Sequence, residues 1–348
     1  MRALVVALLL VGAVRAAPQD EKQSRDAYLA LLDRYAAGDA DSAIKAAMAL
    51  EFEEARTAAA WAADLPASPR RTGILRLSVL LHTEAALRTP VPHRQLLLAR
   101  DGIDRLWRDP REAREQLRPF IHSWYLLVIS HLSALGQLAS ALEHVRVALN
   151  RFPGDAELLL ARGSLYEADA YLSIVDRSLL REIYTPAFIG RWRLRLYDAQ
   201  DDYRDAYARQ PNLAEARLRW GRVQSLIGES VKSEAAFTEV AAGTADPFLR
   251  YLASLFLAER REARRDFAAA KRDYEAALAA WPQAQAPKLG LSRLCAAEGD
   301  MACAQARLAE SLKETGPDRV DPFWDYHFGQ AWLGADRLKR FRALGGAP

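Results

Sequence analysis

The 348-residue chain carries 48 basic against 45 acidic side chains, a net charge of +3 with neutral histidine. A balance this even gives no sign of the basic footprint by which a nucleic-acid-binding chain is read, so no nucleic-acid partner is expected. The length leaves room for two or three globular domains unless a repeat sets the architecture, and the abundance of alanine and arginine favours helix throughout.

Residues 1–16 read as a secretory signal peptide. Arg2 precedes an apolar run from Ala3 to Val14, and Val14-Arg15-Ala16 supplies a small-x-small cleavage site. The competing reading is a membrane anchor, but such a run falls short of the roughly 20 residues that span a bilayer. Cleavage after Ala16 leaves 46 basic side chains against 45 acidic ones, and no later segment is long and apolar enough to span a membrane. The expectation is therefore an exported chain, periplasmic or secreted, with no membrane insertion of its mature part.

Residues 17–120 are expected to form an irregular helical region with a degenerate repeat. Residues 28–50 read as a helical hairpin turning at Gly38-Asp39, with Tyr35 and Ala43 spaced as in the repeat of residues 121–317. Helix-period apolar residues recur over 52–61, 76–87 and 95–107, separated by Pro66, Pro69, Gly73, Pro90 and Pro92. The region reads as a cap on the repeat array, or as a separate domain with its boundary between Pro110 and Pro119.

Residues 121–317 carry a repeat. Its anchor is Ala, then a large apolar residue four on, a small one three further, and Pro five beyond. Ala141, Val145, Ala148 and Pro153 fit it, as do Ala199, Tyr203, Ala206 and Pro211, and Ala270, Tyr274, Ala277 and Pro282. Ser233, Phe237, Val240, Pro247 and Ala304, Leu308, Ser311, Pro317 are looser copies. A second helical pattern precedes each copy and ends in turns such as Leu135-Gly136, Ile227-Gly228 and Glu298-Gly299-Asp300. Small residues, Gly163 and Gly221, sit where the two helices approach, and proline closes the unit because it cannot continue the second helix.

These residues resemble the tetratricopeptide repeat family, with Trp220-Gly221 coming nearest to that family's Leu-Gly pair and Ser233 standing where an Ala is usual. The resemblance covers roughly 122–317 and implies an all-α, right-handed superhelical solenoid of antiparallel helix pairs. It also implies a scaffold or adaptor that takes protein or peptide partners in a concave groove, without catalysis or cofactor, as a monomer or weak oligomer. First-helix positions Arg162, Tyr166, Arg217, Gln224 and Lys288 are the candidate groove contacts.

An insertion near 173–196 interrupts the second unit. Pro186 and Gly190 within it argue for a loop or broken helix; the alternative is that the first helix extends and the segment packs as an extra helical pair. Cys295 and Cys303 flank Gly299-Asp300, so a disulfide across a hairpin turn is one reading and two small buried hydrophobes the other. Residues 318–348 hold a dense aromatic cluster, Phe323, Trp324, Tyr326, Phe328 and Trp332. It reads as a helix capping the uncovered face of the last repeat, or as rings lining the end of the groove.

Catalytic motifs are sparse. The histidines are His82, His93, His122, His131, His144 and His327; His82-Thr83-Glu84 comes nearest to a His-Glu-x-x-His zinc motif but lacks the second His. There is no Gly-x-Ser-x-Gly elbow and no phosphate-binding Gly-Lys-Ser/Thr loop. Arg191, Arg193 and Arg195 interleave with Trp192, Leu194 and Leu196, which suits either recognition of carboxylate or phosphate groups or the exposed edge of an amphipathic helix. The alternative function is an enzyme or sugar-processing accessory protein with its site in the N-terminal region or the insertion. A structural assembly subunit is a third reading.

Overall fold

The computed structural model describes residues 18–50, 56–57, 60–61, 64–66, 68–179, 186–312, 321–327 and 329–346, and of residues 18–21 and 172–192 the backbone alone. The expected signal peptide, Phe52, Tyr184, Thr185, Pro317 and Phe328 lie outside the described residues. Every described element is helical, and the architecture is an all-α array of antiparallel helix pairs. Among the described residues no helix is long and apolar enough to cross a membrane.

The chain divides into two compact units, residues 1–121 with 342–348, and residues 122–341. The first holds α1 (Pro18–Ala36), α2 (Ala40–Ala49), α3 (Pro69–Leu87) and α4 (His93–Trp107). Tyr35 and Ala43 are buried, as the degenerate repeat requires, and Gly38 turns the first hairpin at φ +95°. Helix α3 begins earlier than its apolar pattern predicts. Ser68 accepts a hydrogen bond from the Arg71 amide at 3.2 Å and Pro69 follows at the first helical position, so the residues read as a break form a capped start, with Gly73 inside the helix.

Helix α5 (Arg111–Ala134) is divided between the two units at Ile121. The second unit continues with α6 (Leu138–Arg151), α7 (Ala156–Leu179), α8 (Pro186–Arg209), α9 (Ala214–Leu226), α10 (Ser230–Gly243), α11 (Pro247–Ala263), α12 (Phe267–Ala280), α13 (Gln285–Ala297) and α14 (Met301–Leu312). These pair as first and second helices of five units. The repeat anchors are its core: Ala141, Val145, Ala148, Ala199, Tyr203, Ala206, Ala270, Tyr274 and Ala277 are all fully buried. Close approach depends on missing side chains, since a Cβ on Gly163 would lie 2.6 Å from the Tyr203 ring and one on Gly221 2.9 Å from the Phe237 ring. Leu308, the equivalent position in the last unit, is 43% exposed. Three of the turns inside pairs use a left-handed glycine, Gly136, Gly228 and Gly299, whereas α11 and α12 turn on Arg265 at φ +64°.

The insertion does not form a loop on either side of residues 180–185. Pro186 opens α8 and Gly190 lies within it, so α7 and α8 are both 24 residues long and the extra sequence lengthens the pair. Cys295 and Cys303 are joined by a disulfide that staples α13 to α14, with Cα atoms 5.7 Å apart.

After α14 come α15 (Pro322–His327), a 3-10 turn (Ala331–Leu333) and α16 (Gly334–Gly345). Expected from its aromatic content to cap the last unit or to line the end of the groove, this segment bonds α13 through Asp321 and the Ala286 amide and reaches further, Tyr326 bonding Glu167 on α7 and Gln330 bonding Glu215 on α9. Its described residues up to 341 run over the first helices of successive units.

Candidate functional site

The face made by the first helices α5, α7, α9 and α11 centres on an ionic cluster. On α9, Gly221 and Arg217 lie four residues apart and both point to the second helix, Arg217 pairing with Glu239 on α10 at 2.8 Å. Arg219 is two residues from Gly221, about 200° around the helix axis, and therefore projects from the opposite, inner face. Its guanidinium is 1% exposed. Nε donates to Glu215 Oε1 at 2.7 Å, one turn back on the same helix, and Nη1 to Glu167 Oε2 at 3.1 Å on α7. Burial pushes the Arg219 pKa down, but the oxygens of Tyr203, Tyr326, Glu215 and Glu167 outweigh it and hold the group well above its ordinary value.

What Arg219 grips on its open side is polypeptide. Nη2 donates to two main-chain carbonyls of the C-terminal segment, Tyr326 O at 3.2 Å and Gly329 O at 2.6 Å. The Tyr326 ring lies over the guanidinium at 4.2 Å and the Trp332 indole at 5.3 Å. Tyr326 donates its hydroxyl to Glu167 Oε1, so that carboxylate accepts from Tyr203, Arg219 and Tyr326 together. Gln330 Nε2 donates to Glu215 Oε2 at 2.9 Å.

Two further anchors flank this centre. Asp321 caps α15 by accepting from the Phe323 amide at 2.9 Å, and the same carboxylate accepts from the Tyr251 hydroxyl at 2.6 Å on α11 and the Ala286 amide at 2.6 Å on α13. Arg337, on α16, donates to Leu126 O at 3.1 Å, to Ser130 on α5 and to Gln330 Oε1 at 2.7 Å. Burial lowers its pKa to about 10. Aromatic contacts complete the seat: Phe256 meets Tyr326 at 5.4 Å, Phe248 meets Trp332 at 5.0 Å, and His327 stacks on Tyr171 at 4.0 Å. Burial, then the nearby charges of Arg222 and Arg219, lower the His327 pKa to about 3, so its ring is neutral. A cavity of about 200 Å3 remains beside the segment, lined by Glu157, Glu215, Gln330, Asp336, Arg337 and Arg340 among others.

The residues proposed from the sequence are placed differently. Arg162 forms a two-pronged pair with Asp202 on α8 at 2.6 and 2.8 Å, and Tyr166 lies under the Arg195 guanidinium, also on α8. Both, like Arg217, serve the joint between first and second helix. Gln224 and Lys288 are buried, at 1% and 4% exposure. The side chains that hold the C-terminal segment are instead Glu167, Glu215, Arg219 and Tyr251. In the basic strip, Arg193 and Leu194 are exposed while Arg195 pairs with Asp169 at 3.0 Å, and of Arg191 and Trp192 only the backbone is described.

The unit of residues 1–121 and 342–348 buries the histidine singled out by its motif. Gln95 Nε2 donates to Ala47 O, which turns Gln95 Oε1 toward His82 Nδ1 at 2.7 Å and makes that nitrogen the donor. Its Nε2 then accepts from the Tyr28 hydroxyl at 2.8 Å, whose oxygen accepts from Ser78 at 2.6 Å. Burial lowers the His82 pKa to about 4. Glu84 accepts from Tyr35 at 2.6 Å and from both arms of Arg342. His82 and Glu84 are thus core hydrogen-bond partners in separate networks. Among the described residues no group of His, Cys, Asp and Glu is arranged to hold a metal.

No known family model matches the sequence, and no curated protein matches it. Solved structures similar to the chain include tetratricopeptide repeat proteins. PilF of Pseudomonas aeruginosa is similar at a TM-score of 0.47 and 14% identity, over 66% of this chain and 91% of that one. PilW, described as a widely conserved type IV pilus biogenesis factor, gives 0.45 and 18% over 64% and 91%. A tetratricopeptide repeat protein from Parabacteroides merdae gives 0.44 and 15% over 93% and 99%. Identities this low carry no residue correspondence, so the site is read from this chain's own geometry.

Proposed function

We propose that this chain is an exported scaffold or adaptor whose first-helix face, in the unit of residues 122–341, binds a polypeptide segment of a protein partner. The observation that carries the reading is the buried Arg219, which gives two hydrogen bonds to main-chain carbonyls, Tyr326 O and Gly329 O. Carbonyls are common to every polypeptide, and a buried guanidinium held between two carboxylates is pre-organised to catch them. Export draws support from the residue 1–16 pattern and from the Cys295–Cys303 disulfide, which persists in an oxidising compartment.

Two measurements test the reading. Cell fractionation followed by N-terminal sequencing is expected to find the chain outside the cytoplasm and starting at Ala17; a cytoplasmic chain starting at Met1 would refute export. A photo-crosslinking residue at Phe248, which lies on the first-helix face itself against Trp332, is expected to join a second polypeptide in native cells. The same label at Val231, 83% exposed on α10, serves as control. Equal products from both positions, or none from Phe248, would refute binding through this face.

A further inference from the structure

The chemistry of the inner face says what segment it is built to take, because one already occupies it. At the centre of the contact sit Glu167, Glu215 and Arg219, all buried beneath residues 326–332. A permanent core element is usually covered by apolar groups; ionised ones are left there at a desolvation cost. Lifting the segment would return these three side chains to water, which satisfies them, and would uncover the Phe248 and Phe256 rings at the edges. A polar centre flanked by aromatic anchors is the make-up of a surface that is sometimes open and sometimes filled.

Resting on the reading of this face as a polypeptide-binding surface, we propose that residues 321–333 are an intramolecular ligand. The partner then presents a segment of the same chemistry, which displaces them. The pattern is Asp-Pro-aromatic, a tyrosine three residues after the aromatic, then Gly-Gln three further on, and an indole two beyond, as in Asp321, Pro322, Phe323, Tyr326, Gly329, Gln330 and Trp332. Each position has a physical demand. Asp321 is read by the Tyr251 hydroxyl and the Ala286 amide, a pair of donors that suits a carboxylate. The phenol at Tyr326 reaches Glu167 while its ring covers Arg219, a combination that phenylalanine matches only in part. Gly329 has φ +65°, where side chains are strained, and a Cβ there would stand 3.5 Å from the hydroxyl oxygens of both Ser133 and Ser164. The Gln330 amide donates to Glu215, and Trp332 packs on Phe248.

A tethered ligand competes at an effective concentration of about 1 mM for a short linker, so an external segment binds the intact chain far more weakly than a chain whose own segment has been released. The test places protease recognition sequences within residues 313–320 and between Leu333 and Gly334 of the full chain, on both sides of the segment, and cuts the folded protein. Binding of a fluorescent peptide of residues 321–333 is then followed by polarisation. The doubly cut chain, with α16 still held by Arg342 on Glu84, is expected to keep its far-UV circular dichroism apart from the short α15, to lose the 321–333 fragment on dilution, and to bind the peptide saturably at least about 10-fold more tightly than the intact chain does. A Tyr326→Phe peptide should bind about 10-fold more weakly, the loss of one charge-assisted hydrogen bond, and a Tyr326→Ala peptide not at all. An intact chain carrying Tyr326→Phe, which needs no cut, should bind the unmodified peptide about 10-fold better than the unmodified intact chain.

A cut chain that unfolds, or that holds its fragment without exchange against excess peptide, would overturn the proposal by showing the segment to be core. Equal binding of the unmodified peptide and the Tyr326→Ala peptide would overturn it in another way. In that case the face still takes polypeptide and the scaffold reading stands, while the stated partner chemistry fails. A released, folded chain that binds neither this peptide nor a random peptide pool would overturn both.

Discussion

Replacing Arg219 with methionine removes the cation that pairs with Glu167 and Glu215 while keeping most of its volume. Arg219 bonds two carboxylates and two main-chain carbonyls and is 1% exposed. Its loss leaves Glu167 to the Tyr203 and Tyr326 hydroxyls and Glu215 to the Gln330 amide. Breaking a buried ion pair from one side costs about 3–5 kcal/mol, since the remaining charge stays desolvated. Urea unfolding monitored by far-UV circular dichroism should therefore show a loss of about 4 kcal/mol at neutral pH. The cause can be separated from lost packing by adding Glu167→Gln to Arg219→Met. Neutralising one stranded carboxylate should recover at least about 1 kcal/mol, a non-additivity expected of groups in one network. A single-variant loss under about 1 kcal/mol, or strictly additive effects, would refute the account of this cluster.

Three further predictions concern the supporting fold. Tyr203→Ala and Tyr274→Ala, each emptying a fully buried site, should each cost about 3–5 kcal/mol in the same unfolding assay. Replacing Cys303 by serine opens a loop of sequence separation 8 and should lower the stability of the last hairpin by about 2.5 kcal/mol, read as faster amide exchange in α13 and α14. His82 is held neutral, its pKa lowered from 6.5 to about 4, so the folded state disfavours the proton that the unfolded chain takes up. Its contribution is complete above pH 6.5 and is lost as pH falls toward 4. The slope approaches about 1.4 kcal/mol per pH unit, and His82→Gln should flatten it.

The repeat was legible because its signal is local. An Ala, a large residue four on and a small one three further share a helix face, and those residues prove to be the core. Pro186 and Gly190 misled for a local reason too: proline is as natural at the first turn of a helix as in a loop, and only the partner helix α7 decides between them. The inner face was not legible in the same way. Arg217 and Arg219 are indistinguishable by residue type, and choosing between them needs the direction of Gly221 fixed first, after which a rotation of two residues selects Arg219. The Glu215 and Arg219 spacing, one turn apart beside buried Leu218 and Val223, was the available hint. The contacts of Tyr326 and Asp321 were out of reach, because they join residues 159 and 70 positions apart.

The most direct measurement is hydrogen–deuterium exchange of the intact chain with increasing amounts of an unlabelled peptide of residues 321–333. If the inner face is a polypeptide-binding site filled in cis, the amides of the chain's own residues 321–333 should lose protection as peptide is added, while those of α7, α9 and α11 keep theirs. Unchanged protection of residues 321–333 at saturating peptide would contradict the account and make the C-terminal segment a fixed part of the fold.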